Sequence, residues 1–128
     1  MKQLSLAVLA LILSAPLMAA PKSKPKALAQ ETLQFINDME ANLKIAIRNG
    51  DKQDFYNYIE KPTWEMAEKW PTVGTKGYDD YARCQFAVQD FRVYAQDQFK
   101  AKGMLPKNTP TTKEFLRNKR ECQAALKA

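Results

Sequence analysis

Histidine is absent from all 128 residues, and serine occurs only at Ser5, Ser14 and Ser23, all near the N-terminus. The chain therefore has no Ser–His or Cys–His pair and no imidazole ligand, so nucleophilic hydrolysis and His-ligated metal chemistry lack their parts. Glycine is scarce: Gly50, Gly74, Gly77 and Gly103 each fall at a turn or helix end, which leaves no glycine-rich phosphate loop. Cysteine is limited to Cys84 and Cys122. No stretch carries a strand signal.

What is present begins with Met1-Lys2-Gln3, an apolar run from Leu4 to Leu13, and then Ser14-Ala15-Pro16-Leu17-Met18-Ala19-Ala20-Pro21. One positive charge, a short apolar core, a helix-breaking proline and small residues have the layout of a secretory signal peptide over residues 1–19. The run is shorter than the ~20 apolar residues that a spanning helix needs, so no transmembrane span is expected after cleavage. A periplasmic or secreted location follows. Export permits a disulfide, and two cysteines offer one intramolecular pairing, Cys84 with Cys122. A loop of that length stabilises the fold by roughly 3–4 kcal/mol on the chain-entropy account.

The formal charge is +6, unevenly spread. Residues 27–99 carry eight basic and twelve acidic side chains, whereas residues 100–128 carry eight basic and two acidic ones. An exported protein with a basic C-terminal end has no nucleic acid to meet. Its partners are an acidic protein surface or an anionic envelope surface.

Residues 20–26 read as a disordered Pro/Lys linker, and residues 27–128 as a single helical domain. Ala27–Asn49 places Leu28, Phe35, Ile36, Met39, Leu43, Ala46 and Ile47 on one face, with Gly50 as C-cap. Asp51 then caps a second, antiparallel helix. Its Phe55, Ile59, Met66 and Trp70 keep helical phase across Pro62, so the proline either kinks this helix or splits it in two. Pro71–Gly77 is a loop. From Tyr78 to Lys102 the chain runs without Gly or Pro, with apolar residues on two sides. It is expected to be the central rod, opened by Asp79 and Asp80, with Phe86 and Val93 as its second stripe.

Thr111-Thr112-Lys113-Glu114 reads as the capping box of the last helix, with Phe115, Leu116, Cys122 and Leu126 facing inward. Helix rise leaves a mismatch of about 12 Å between the two cysteines, which the intervening loop must absorb. Met104 and Leu105 are therefore expected to fold back over Phe99. The fold class is all-α: a small four-helix up-down bundle, five-helix if Pro62 breaks the second, with Cys84–Cys122 joining the central and C-terminal helices.

Neither a catalytic nor a metal site is expected, and no cofactor. Asp79-Asp80 serves as a helix start, Glu65 and Glu68 as surface patterning, and Asp51–Asp54 lacks the further oxygens of a calcium loop. The candidate binding surface comprises Lys113, Arg117, Arg120 and Lys127, one face of the last helix, together with Trp64 and Tyr56 on the second. The expected function is a non-enzymatic binding protein that contacts a protein partner through this charged surface. Its sharpest form is an inhibitor or immunity-type protein facing a toxin or cell-wall enzyme, by analogy of architecture alone. The alternative is an envelope module that binds anionic lipid, lipopolysaccharide or peptidoglycan through the basic stripe and exposed aromatics.

Overall fold

The computed structural model describes residues 23–128. The predicted signal peptide and the start of the predicted linker, through Lys22, lie outside the described residues.

Helix α1, Lys24–Asn49, begins three residues before the predicted start. Ser23 caps it by accepting from the Lys26 N–H, and Pro25 occupies the first turn, where a missing N–H costs nothing. Pro25 is also buried, with the loop at Gly77 passing over it. Lys24–Lys26 therefore belong to the helix and not to a disordered linker. The buried positions Pro25, Ala29, Thr32, Ile36, Met39, Leu43 and Ala46 are spaced alternately four and three apart. Such a stripe suits a neighbour crossing at a shallow angle. Leu28, Phe35 and Ile47 flank it as partly buried contacts. Gly50 ends α1 at φ 68°, returning its N–H to the Ala46 carbonyl.

Helix α2 runs through three contiguous segments, Lys52–Phe55, Tyr56–Glu60 and Lys61–Glu68. Asp51 caps it, its carboxylate accepting from the N–H groups of Gln53 and Asp54 at 2.8 and 2.9 Å. Pro62 has no N–H, and its ring presses on the carbonyl four residues back. The chain absorbs this upstream with a π-helical turn over Tyr56–Glu60, where the Lys61 N–H reaches back five residues to the Tyr56 carbonyl. Thr63 Oγ1 donates to the Ile59 carbonyl at 2.6 Å. Pro62 thus does not split the bundle into five helices, and Phe55, Ile59, Met66 and Trp70 are all buried.

After the loop, Asp79–Tyr81 forms a 3-10 turn and α3 runs Ala82–Lys100. The two aspartates occupy this preceding turn and not the helix proper. Gln85 is buried and fastens the loop by donating to the Pro71 carbonyl at 2.9 Å. Helix α3 packs against all three other helices, so the expectation of a central rod holds. Its second apolar stripe does not: Phe86 is half-buried and Val93 is 48% exposed. At the C-terminus, Gly103 N–H bonds to the Gln98 carbonyl and Lys102 N–H to the Phe99 carbonyl, which is a Schellman closure. Lys102 takes the left-handed position of this motif at φ 54°. A lysine there costs roughly 1 kcal/mol more than the glycine usually found.

Helix α4 spans Pro110–Lys127. Thr109, not Thr111, is the N-cap; its hydroxyl accepts from the Thr112 N–H and meets the Thr112 hydroxyl at 2.8 Å. Proline is favoured directly after a cap, so Pro110 draws the start forward. With α3 ending at Lys100 and α4 starting at Pro110, the cysteines lie about 24 and 18 Å along their helices, which reduces the mismatch to about 6 Å. The connection then has no need to fold far back. Leu105 N–H touches Gln98 Oε1 at 3.3 Å, but Met104 is 78% exposed and does not cover Phe99. Leu116 is likewise exposed, and Asn118 takes its place on the inner face.

All four helices are joined by one core. The Cys84–Cys122 disulfide clasps α3 to α4 with a Cα–Cα distance of 4.6 Å. Phe115 packs against Phe91 at 5.4 Å and stacks on Tyr94 at 4.7 Å. On the opposite side Trp70 closes over α1: its Nε1–H donates to Thr32 Oγ1 at 2.9 Å, and its ring meets Tyr78 edge-on.

Candidate binding surface

Lys113, Arg117, Arg120 and Lys127 are all exposed along α4, as a helix clasped by its other face requires. Their charges are not equally free. Arg117 pairs with Glu114 one turn back at 2.5 Å. The hydrogen bond and charge of Glu114 hold the Arg117 guanidinium above its ordinary pKa, so it stays charged at any working pH. Lys113, Arg120 and Lys127 take part in no ion pair among the described residues. Lys119 points elsewhere, reaching Glu40 of α1 at 2.8 Å, and Glu121 holds Arg83 of α3 at 2.8 Å. The acids that neutralise α4 thus lie toward its seams.

Behind this face is a residue that the pattern of apolar positions misses. Asn118 is 2% exposed and accepts from Arg83 Nη1 at 3.1 Å. Its Nδ2 donates to Asp90 at 2.5 Å and, more weakly, to Glu114 at 3.4 Å. One side-chain amide thereby ties α3 to α4 and steadies the carboxylate that holds Arg117. Burial raises the Asp90 pKa, and the Asn118 hydrogen bond works against that rise. A usable signal was position, since Asn118 lies three residues after Phe115 and four before Cys122, on their face.

The aromatic half of the candidate surface is placed differently. Trp64 is 46% exposed and projects away from the Phe55–Ile59–Met66–Trp70 stripe, but the Arg92 guanidinium lies over its ring at 4.2 Å. Arg92 Nε is buried without a hydrogen-bond partner, so this stacking is the main interaction of that group. Trp64 sits in the α2–α3 seam beside Val88 and Gln89. Tyr56 is 48% exposed on the π-turn. The structure does not join these two aromatics to the α4 stripe as one patch.

Asp79 and Asp80 are exposed in their 3-10 turn, and no group of three or more metal-capable side chains occurs among the described residues. No described helix is long and apolar enough to cross a membrane. Comparison with models of protein families, with curated proteins and with solved structures found no match.

Proposed function

We propose that this chain is a small exported, non-catalytic helical protein that binds an acidic protein partner through the outward face of α4, in the manner of an inhibitor or immunity-type protein. The observation that carries the reading is the row of unpaired cations Lys113, Arg120 and Lys127 on a helix whose inner face is clasped to α3. A rigid helix loses little conformational freedom on docking, and exposed cations speed and orient encounter with an acidic surface. The paired cysteines support an oxidising compartment, and the sequence supplies no nucleophile–base pair for catalysis.

The envelope-surface alternative receives less support. Stacking on a sugar or anchoring in a head-group layer needs an open aromatic face, and Arg92 already lies against Trp64. The two readings separate on salt. The oxidised protein is expected to retain a protein partner from its own envelope fraction through a wash at ~0.3 M salt, beyond the range of screened surface attraction. Binding only to vesicles of anionic lipid or to sacculi, lost in the same wash, would overturn the protein-partner reading.

A further inference from the structure

At the end of the bundle where α1 stops, α2 starts and α3 stops, a hollow of about 730 Å³ opens to solvent. Its floor is apolar: Phe55 stacks on Phe99 with ring centroids 4.4 Å apart, and Ile47 completes the surface. Its rim is cationic, formed by Lys52, Lys100 and Lys102. The single carboxylate in the lining, Glu60, accepts a hydrogen bond from Gln96. Sites for small ligands have this size and this make-up, an apolar bed with a few charged groups that fix orientation.

Lys100 has an ordinary explanation, because it lies in the last turn of α3 and cations are favoured at a helix C-terminus. Lys102 goes beyond it. Its backbone occupies the left-handed Schellman position at φ 54°, where glycine is favoured, and Gly103 directly follows at φ 82°. A side chain thus stands where glycine would be less strained, and that side chain lines the hollow.

We infer that this hollow is a binding site for a small single-chain amphiphilic anion, its chain lying on the Phe55–Phe99 floor and its carboxylate or phosphate head held between Lys52, Lys100 and Lys102. The site is separate from the α4 face and does not depend on the partner reading. Charge complementarity selects the sign of the head group, and the aromatic bed selects an apolar tail over a free inorganic anion.

The test is a titration of the oxidised chain with dodecanoate below its micelle concentration, followed by amide NMR shifts. Dodecyltrimethylammonium and inorganic phosphate are run in parallel. Dodecanoate is expected to move the amides of Gly50, Phe55, Phe99 and Lys102, and the other two probes to leave them in place. Lys102→Gly is expected to raise the melting temperature while weakening dodecanoate about fivefold, the worth of one exposed charge contact. Lys100→Glu, which leaves the floor intact, is expected to weaken it further. Equal binding of the cationic amphiphile, shifts confined to the α4 face, or unchanged affinity in both lysine variants would each overturn the inference.

Discussion

The two sides of α3 are built on different terms. Toward α4 it is tightly clasped, by a disulfide, the Phe91–Phe115–Tyr94 aromatic cluster and the buried Asn118 amide. Toward α1 and the start of α2 its last turns are open, and the stacked Phe55 and Phe99 rings line a hollow that opens to solvent. The difference shows how a small helical chain divides its labour. One seam is fixed so that the outward face of α4 has a defined shape, and the other end keeps apolar surface available.

The largest expected effect sharpens this contrast directly. Phe91→Ala on the closed side removes a ring with no exposed surface and should cost ~3–5 kcal/mol in denaturant unfolding. Phe99→Ala, at the floor of the hollow, should cost only ~2 kcal/mol, since this ring is only partly buried and less new cavity is made. Equal losses would mean that the open end is as tightly built as the closed one.

Next in size is the clasp. Replacing Cys84 and Cys122 together with Ser should lower stability by roughly 3–4 kcal/mol, the loop-closure contribution of a cross-link of this span. Hydrogen exchange should show the loss first in α4 amides, with the Trp70–Thr32 side of α1 protected for longer. A loss spread evenly over all helices would contradict the division of labour.

The smallest effect is a dependence on pH. Burial raises the Asp90 pKa above the ordinary 3.8, so the folded chain holds this proton more tightly than the unfolded chain does. Its contribution to stability is therefore present below pH 3.8 and is lost as the pH rises through the higher folded value. Asp90→Asn keeps an acceptor for the Asn118 amide and should flatten the stability curve over that window. An unchanged slope in acid titrations would show that Asp90 does not set it.

Much of this architecture could be read from the chain. The 3.6-residue spacing of Ile36, Met39, Leu43 and Ala46 specifies the inner face of α1, Gly50 and Asp51 specify the turn that follows, and two cysteines leave one pairing. What escaped was polar or cooperative. Thr32 and Asn118 are buried because each finds hydrogen bonds on another helix, and hydrophobicity alone gives no account of that. Thr109 displaced Thr111 as the cap because Pro110 favours the first helical position, and α3 stops at Lys100, short of Gly103; together these changes left Met104 in solvent. Among the candidate binding residues, exposure of the α4 cations was legible from their spacing. The Arg92 guanidinium over Trp64 was not, since it depends on how α2 and α3 are set side by side.

The most direct measurement is the yield of partner crosslinked to the oxidised protein in its own envelope, compared with the Lys113→Glu, Arg117→Glu, Arg120→Glu triple variant. A partner that binds through the outward face of α4 should be lost from the variant by more than about tenfold, while its melting temperature stays near that of the parent chain. The same partner recovered at the same yield from both would contradict the account.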